Sequence, residues 1–205
     1  MKLQEKTERD LLRQQFFDTR AHDWDARNHS PELRRQVAAM LDELGIEEGM
    51  TLLDVGCGQG ILLPFLRKLV GERGRLIALD TSAAMLSSVA ERDAGALAIH
   101  APAECIPLLD CYVDRVICYS AFPHFTDKAA AAGEFFRVLK IGGSAHVLHT
   151  GSRDFINQLH DRYQEVAGDY LPSRQGMETL FRNAGFSSLC LDEGENHYAF
   201  SAFRK

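Results

Sequence analysis

Short apolar runs alternate with amphipathic segments along most of the chain. From residue 51 onwards the apolar runs are too short for helices, and the segments between them carry apolar residues at helical spacing. The pattern predicts strands at 51–55, 75–80, 96–100, 114–119, 143–150, 187–191 and 197–203. It predicts helices at 2–17, 31–44, 60–70, 82–93, 127–140, 153–167 and 175–184. This alternation is typical of an α/β fold whose parallel sheet is covered on both faces.

The last two predicted strands differ from the others, because only residues 192–196 separate them. A link this short favours an antiparallel pair. We therefore expect a Rossmann-like, doubly wound, mostly parallel seven-stranded sheet with an antiparallel C-terminal strand. One domain over 1–205 accommodates all of these elements.

A glycine-rich turn follows the first strand, in the sequence Asp54-Val55-Gly56-Cys57-Gly58-Gln59-Gly60. Glycines allow positive φ and leave no Cβ, so a ligand can lie against the backbone. The spacing G-x-G-x-G matches neither a phosphate loop nor the usual dinucleotide fingerprint. An acid beside the turn would repel a pyrophosphate, whereas it suits a ligand that carries an ammonium group. A tight turn without a ligand is the alternative interpretation.

A second acid, Asp80, ends the next strand, roughly twenty residues beyond the glycines. A carboxylate at that place in a doubly wound fold can accept hydrogen bonds from both hydroxyls of a ribose. The alternative is that Asp80 only helps to cap the next helix, a role that Ser82 fills better.

Composition narrows the class of protein. The 205 residues, 45% of them hydrophobic, suffice for one domain with an extended sheet. The charged N-terminus contains no long apolar run, so we expect neither a signal peptide nor a membrane span, and a cytoplasmic location. Five scattered cysteines without a C-x-x-C pair fit reduced thiols. The net charge of -6 argues against nucleic acid as a partner.

Several ordered motifs together resemble those of class I S-adenosylmethionine (SAM)-dependent methyltransferases. The glycine-rich turn resembles the first motif of that family. The other matching segments are 79–86 for the second motif, 103–108 for the adenine-side loop, 114–118 for the fourth strand, 121–127 for the loop after it and 136–143 for the turn into the fifth strand. The pattern looks closest to small stand-alone enzymes that resemble ubiquinone and menaquinone C-methyltransferases, and residues 16–25 resemble their N-terminal entry segment.

The resemblance implies SAM as cofactor, S-adenosylhomocysteine as product and a small-molecule acceptor that receives the methyl group by in-line displacement. It implies that Asp54 orients the amino acid end of SAM and that Asp80 holds the ribose. The implied cofactor contacts are Asp54, Gly56, Cys57, Gly58, Gly60, Asp80, Thr81, Met85, Ala103, Glu104, Ile106 and Tyr119. Residues 1–30 are expected to form an entry or lid segment, and 152–186 a helical lid between the fifth and sixth strands.

One position departs from the family pattern. The family often has an acid just before the Ala-Glu pair, where it accepts from the exocyclic amine of adenine, and this chain has Pro102 there. We expect the adenine to be held by the backbone of Ala103, by apolar packing and by Glu104 instead.

Histidines are the candidate chemical groups on the acceptor side. His124 lies in the loop after the fourth strand and, like Tyr119, is a catalytic candidate, although packing between Phe122 and Phe125 is the favoured interpretation. His149 lies at the carboxyl end of the fifth strand, whereas alternation turns His146 to the opposite face. His160 can approach His149 from the next helix, and His124, His149 and His160 are a candidate transition-metal site.

Two further questions stay open from the sequence. Ser152-Arg153 begins a helix and either binds an anionic group or provides a plain N-cap. The leading functional hypothesis is a small-molecule methyltransferase. The alternatives are a SAM-binding or metal-sensing regulatory protein, and an enzyme that uses a SAM-like nucleoside without methyl transfer. A monomer and a homodimer are both compatible with the sequence.

Overall fold

The computed structural model describes residues 11–13, 15–19 and 30–205. The helical residues 11–13 and 15–19 are called α1. The other helices are α2 (Pro31–Asp42), α3 (Leu63–Val70), α4 (Ala83–Leu86), α5 (Val89–Arg92), α6 (Lys128–Val138), α7 (Arg153–His160) and α8 (Arg174–Asn183), with a 3-10 turn at Phe122–His124. The strands are β1 (Thr51–Val55), β2 (Arg75–Asp80), β3 (Leu97–His100), β4 (Val113–Tyr119), β5 (Leu139–His149), β6 (Ser188–Gly194) and β7 (His197–Phe203).

All seven strands form one sheet in the order β3-β2-β1-β4-β5-β7-β6. The first five strands in this order are parallel to one another, and β7 runs antiparallel to both of its neighbours. The predicted fold class is confirmed, including the antiparallel C-terminal strand. The predicted domain limits, 1–205 with segments 1–30 and 152–186, stay a prediction, and most of 1–30 lies outside the described residues.

Two layers of apolar side chains cover the sheet. One layer packs α6 and α8 against one face, and the other packs α2 and α3 against the opposite face. All five residues of β1 are buried, as expected for a central parallel strand with both faces covered. A polar side chain in β1 therefore has no access to bulk water except at the end of the strand.

The helix predicted over 82–93 is wrong, because two short helices, α4 and α5, occupy this stretch. Ser87 and Ser88 separate them. The Oγ of Ser87 donates to the carbonyl oxygen of Ala84 at 2.7 Å. Serine hydroxyls compete in this way with the backbone pattern of a helix.

Other boundaries differ at the ends of elements. The helix predicted over 153–167 ends at His160, and after the C-cap Asp161 the amides of Arg162 and Tyr163 bond to carbonyls three residues back. Pro64 stands in the first turn of α3, which begins at Leu63 rather than at residue 60. The strand β5 begins at residue 139 rather than 143, through an irregular register with β4, and β6 continues to residue 194, which shortens the hairpin link.

The carboxyl ends of β1, β2, β4 and β5 lie along one edge of the sheet, where ligands bind in open α/β folds. Ser120, directly after β4, has a φ of 54° although it is not a glycine. Such a conformation is uncommon and is often found at functional sites. None of the helices in the described part of the chain is long and apolar enough to cross a membrane.

Candidate functional site

The loop after β1 is built on glycines with left-handed backbone. Gly56, Gly58 and Gly60 have φ angles of 70°, 53° and 77°. A Cβ on Gly56 would lie 2.3 Å from the Cβ of Ala121, so the loop after β4 packs directly on this turn. A Cβ on Gly58 would have one described atom within 4 Å, the Sδ of Met85 at 3.9 Å. Gly58 is therefore a position where a ligand can approach the backbone.

Cys57 in the same turn is buried. Burial, and then the charges of Asp54 and Asp80, raise the pKa of its thiol well above the ordinary value. A thiol that stays protonated is a poor nucleophile, so Cys57 serves as a small packing residue of the turn.

Asp54 is the most unusual buried group in the sheet. Its side chain lies near the end of β1, the residue is 2% exposed, and Oδ2 has no hydrogen-bond partner among the described residues. Burial, and then the charge of Asp80, raise the pKa of Asp54 to about 8. Leaving such a group unpaired costs roughly 1–3 kcal/mol. A cation bound beside Asp54 would supply the missing partner.

Asp80 joins the glycine turn to the next loop. Its Oδ2 accepts from the amide of Gly58 at 2.8 Å, and its Oδ1 accepts from the amide of Ser82 at 2.9 Å. Burial outweighs these hydrogen bonds and raises the pKa of Asp80. Ser82 itself caps α4, since its Oγ accepts from the amide of Met85 at 3.1 Å, and this Oγ also donates to Asp18 of α1. Because a carboxylate has about four acceptor positions, Asp80 keeps capacity for a ligand hydroxyl.

Of the predicted adenine-side residues, two pack in the core and the third links two loops. Ala103 and Ile106 are each 3% exposed and belong to the apolar layer beside α6. The amide of Ile106 donates to Glu134 at 2.6 Å, so it is already paired. Glu104 accepts from the amide of Asp127 at 3.1 Å, and this contact ties the loop to the start of α6.

Thr81 and Tyr119 complete the predicted cofactor contacts. Thr81 is exposed directly after Asp80. Tyr119 packs with the α2 and α3 layer, and its hydroxyl lies 3.3 Å from the Oγ1 of Thr150. A small pocket of about 80 Å³ beside it is lined by Leu33, Arg34, Val37, Ile61, Pro64, Phe65, Arg92 and Tyr119. Tyr119 thus lies on the opposite face of the sheet from His149, and the structure does not bring these two catalytic candidates together.

His124 is held by a polar contact rather than by aromatic packing alone. Its Nδ1 lies 2.9 Å from the Oδ2 of Asp169, a carboxyl that is buried in the segment after α7. Its ring packs edge-on against Phe17 of α1, with centroids 4.9 Å apart. Phe122 and Phe125 contact each other instead of enclosing His124. The expected packing between these two phenylalanines is therefore not what holds the imidazole.

His160 stacks beside His124, with ring centroids 4.6 Å apart. Its Nδ1 lies 2.5 Å from the carbonyl oxygen of Asp169. A carbonyl and an ionised carboxylate only accept hydrogen bonds, so both histidines carry their proton on Nδ1 when neutral. Each then has a lone pair on Nε2. Burial, opposed by the hydrogen bond to Asp169, lowers the pKa of His124 to about 4, so the imidazole is neutral at pH 7.

His149 lies close enough to both imidazoles for their charges to add to the effect of burial, which lowers its pKa to about 3. Its Nε2 has no hydrogen-bond partner among the described residues. Tyr198 is its cross-strand neighbour on β7, with ring centroids 6.1 Å apart, and the hydroxyl of Tyr198 is also buried without a described partner. Two polar side chains, each with one atom that lacks a described partner, are therefore neighbours where β5 ends and β7 begins.

Comparison with known proteins gives the family. A family model described as a methyltransferase domain matches residues 53–147. A ubiquinone/menaquinone biosynthesis C-methyltransferase of Serratia proteamaculans is 32% identical over 138 residues, which are 64% of this chain and 55% of that protein. The chain therefore spans about half the length of this curated relative.

Solved structures agree on the fold. A SAM-dependent methyltransferase from Aquifex aeolicus has a TM-score of 0.71 and 23% identity, and the match covers 90% of this chain and 97% of that one. Phosphoethanolamine N-methyltransferase 2 of Haemonchus contortus, solved in complex with SAM, has a TM-score of 0.77 and 17% identity over 100% of this chain and 61% of that one. These similarities support the predicted family, the class I SAM-dependent methyltransferases.

The residues of this methyltransferase chain fit the family cofactor. The carboxyl of Asp54, whose Oδ2 has no partner among the described residues, matches an ammonium group, Gly58 leaves the loop backbone open, and Asp80 has acceptor capacity for ribose hydroxyls. Ala103 and Ile106 belong to the apolar layer on the predicted adenine side, each 3% exposed. The ammonium group and the ribose hydroxyls of SAM therefore have complementary groups at this edge of the sheet.

The three histidines of the predicted metal site do come together, but they are not arranged as ligands. Among residues 11–13, 15–19 and 30–205, no group of three His, Cys, Asp or Glu side chains can hold a metal ion. The metal prediction has no support in the structure.

Two other polar features of the fifth strand and its helix are structural. His146 is paired with the hydroxyls of Ser144 and Ser201, each at 2.8 Å, so it is a hydrogen-bonded core residue. Ser152 caps α7, and the amide of Arg153 donates to Glu193 at 2.8 Å. A carboxylate of the chain itself thus occupies the start of this helix, in agreement with the plain N-cap interpretation.

Proposed function

We propose that this protein is an enzyme that transfers the methyl group of SAM to a small-molecule acceptor. The observation that supports this most directly is the pair of carboxylates at the ends of β1 and β2. Asp54 is buried with no described partner for its Oδ2, and Asp80 accepts from the amide of Gly58 in the glycine turn. SAM supplies a methyl group activated by a sulfonium, and the residues around it bind and orient both reactants. In this proposal Asp54 holds the amino acid end, Asp80 the ribose, and Ala103 with Ile106 the adenine.

The acceptor side lies at the loop after β4. This loop packs against Gly56, and it carries His124, whose side chain keeps 14% of its surface exposed. A neutral imidazole with its lone pair on Nε2 is a general base. We infer that the acceptor carries a dissociable proton on or near the methylated atom and that His124 removes it. His160, with the same tautomer, is the neighbouring base.

His149 and Tyr198 are proposed to bind a polar group of the acceptor. Both side chains are at most 2% exposed, and each has one polar atom without a described partner. Burial, and then the charge of Glu193, raise the pKa of Tyr198, so its hydroxyl stays a donor at neutral pH. A ligand oxygen between the two groups would satisfy both.

The variant Tyr198→Phe tests the acceptor-binding role. It removes one hydrogen bond to the acceptor, so we expect KM for the acceptor to rise about tenfold while the affinity for S-adenosylhomocysteine stays unchanged. Steady-state kinetics and calorimetry measure the two quantities. Tyr112→Phe, on the far end of the sheet, is the matched control. An unchanged KM in Tyr198→Phe contradicts this role.

Turnover separates the proposed enzyme from a binding protein on the same fold. The purified protein is incubated with SAM labelled on its methyl group and with a panel of small phenols, amines, thiols and carbon acids, and labelled product and S-adenosylhomocysteine are both measured. Equal amounts of the two products support methyl transfer, and His124→Asn should slow it by about 100-fold or more. Tight SAM binding without either product across the panel would favour the regulatory alternative.

The cytoplasm is the compartment that we propose. All five cysteines are free, which fits a reducing environment. Secretion of the active protein with paired cysteines would contradict this location.

A further inference from the structure

The carboxylate of Asp169 lies where three parts of the chain meet. It follows α7 and is 3% exposed. From the loop after β4, the Nδ1 of His124 contacts Oδ2 at 2.9 Å. From α1, the guanidinium of Arg13 contacts both oxygens, with Nε to Oδ2 at 2.8 Å and Nη2 to Oδ1 at 2.9 Å. Residues 13, 124 and 169 are far apart in sequence, so only the fold brings them together.

This arrangement fixes the ionisation state of the carboxyl. Burial of Asp169 raises its pKa, but the hydrogen bonds from His124 and Arg13 outweigh burial and hold the pKa at about 2. Asp169 is therefore an acceptor at every pH at which the protein is expected to work. A permanent acceptor at Nδ1 keeps the His124 proton on that nitrogen and the lone pair on Nε2.

We propose that Asp169 is a positioning residue for His124 and that Arg13, through its two-point contact, makes docking of α1 part of that positioning. The inference rests on the proposed role of His124 as the base. Asp169 does not touch the reacting atoms. It acts through the imidazole, whose tautomer and ring direction it sets.

Other contacts of α1 support its part in this role. Phe17 packs on the His124 ring, and the Nη1 of Arg13 also contacts the Oγ1 of Thr126 in the loop after β4 at 3.2 Å. On the cofactor side, Asp18 accepts from Ser82, the residue whose amide bonds to Asp80. One helix thus touches both halves of the site.

The charged and titratable groups facing His124 act in opposite directions. Asp169 raises the pKa of His124, whereas burial, His160 and Arg13 lower it. Removing the Asp169 charge should therefore lower the pKa of His124 further and also release its tautomer. Above pH 6 His124 is neutral in both proteins, so a change of rate there reports on position rather than on protonation.

The direct test is the tautomer of His124, measured from its side-chain nitrogen resonances by NMR in the full-length protein with S-adenosylhomocysteine bound. In the wild type we expect Nδ1 protonated and Nε2 unprotonated. In Asp169→Asn the amide can either accept from Nδ1 or donate to it, so we expect a mixture or the reverse tautomer. An Asp169→Asn protein with the wild-type tautomer alone would overturn the proposal.

The contribution of α1 is tested with Arg13. Arg13→Gln should shift the His124 tautomer partly, and Arg13→Lys, which keeps the charge without the two-point fork, should restore it in part. Asp154→Asn and Arg73→Gln change exposed charged residues and should leave the tautomer unchanged. If His124 kept the wild-type tautomer in Arg13→Gln, α1 would have no part in positioning the imidazole.

Rate and binding separate this inference from the proposed function. With an acceptor from the panel, Asp169→Asn should lose about 10- to 100-fold in kcat at pH 7 to 8, with the affinity for S-adenosylhomocysteine within twofold of wild type. A released tautomer with an unchanged kcat would mean that His124 is not the base, so the proposed function would need revision while the structural link stands. If Asp169→Asn does not fold, the Arg13 pair still decides the outcome.

Discussion

Asp54 and Asp80 show how burial changes the chemistry of single residues at the sheet edge. Asp54 is almost fully buried beside a second acid, so its carboxyl stays protonated up to a pH of about 8 in the free protein. Asp80 is instead bound by two backbone amides at 2.8 and 2.9 Å. In the proposed function, the same residue type therefore faces a cation at one strand end and accepts from hydroxyls at the next.

Binding of a cationic ligand should release a proton from Asp54. At pH 7 the free carboxyl is mostly protonated, and the ammonium group of S-adenosylhomocysteine stabilises the ionised form. We expect up to about one proton released per site, measured as a binding enthalpy that is more exothermic in Tris than in phosphate. Asp54→Asn should abolish the difference between buffers. Equal enthalpies in both buffers for the wild type would contradict the assignment of Asp54.

At the scale of elements, the glycine turn after β1 depends on two different physical requirements. Gly56 needs both a positive φ and the missing Cβ, because Ala121 occupies the space. Gly58 needs only the positive φ, since its surroundings are open. The turn is therefore held by the loop after β4 at one glycine and left open at the next.

Alanine substitutions should separate these requirements. Gly58→Ala should cost about 1 kcal/mol of unfolding free energy through backbone strain. Gly56→Ala should cost about 1–3 kcal/mol more, because the new Cβ overlaps Ala121. Urea unfolding of both variants measures the difference. Equal losses of unfolding free energy in Gly56→Ala and Gly58→Ala would contradict this expectation. They would show that the loop after β4 can move away from the new Cβ without cost.

For the whole molecule, buried ionisable groups set the pH dependence of stability. Burial lowers the pKa of His124 to about 4 and that of His146 and His149 to about 3, from an ordinary value of 6.5. Below pH 6.5 the histidines of the unfolded chain bind protons that those of the folded protein do not. The free energy of unfolding therefore decreases as the pH is lowered. Asp54 acts in the opposite direction, since its folded pKa of about 8 lies above the ordinary 3.8. Its effect lowers stability as the pH rises from 3.8 through 8.

Three histidines outweigh the two aspartates with raised pKa, Asp54 and Asp80, below pH 6.5, and Asp54 dominates among these groups above it. We therefore expect the highest Tm of the ligand-free protein near pH 6.5, measured by thermal unfolding across the pH range. His146→Gln should reduce the slope on the acid side. A Tm that rises steadily from pH 6.5 to pH 4 would contradict the buried, neutral state of these side chains.

Much of the fold was predictable because strand and helix periodicities are local properties of the sequence. The central strands lie within a few residues of their predicted bounds, and Asp54 and Asp80 lie at the ends of β1 and β2 as the pattern predicts. The break at Ser87 and Ser88 was missed, because the apolar periodicity continues through it. The hydrogen bond from the Ser87 side chain to the backbone does not show in that pattern. The contact between Arg13 and Asp169 was also missed, because these residues are 156 positions apart and meet only in the folded protein.

The measurement that tests the central claim most directly is calorimetric titration of the purified protein with SAM and with S-adenosylhomocysteine, repeated with Asp80→Ala and with Asp42→Ala as the exposed control. We predict that the wild type and the control bind both ligands and that Asp80→Ala, checked for folding by thermal unfolding, binds at least about tenfold more weakly. The affinity of Asp80→Asn for both ligands should lie between those of the wild type and Asp80→Ala. Failure of the wild type to bind either ligand, or unchanged binding by Asp80→Ala, would contradict the assignment of this sheet edge as the SAM site.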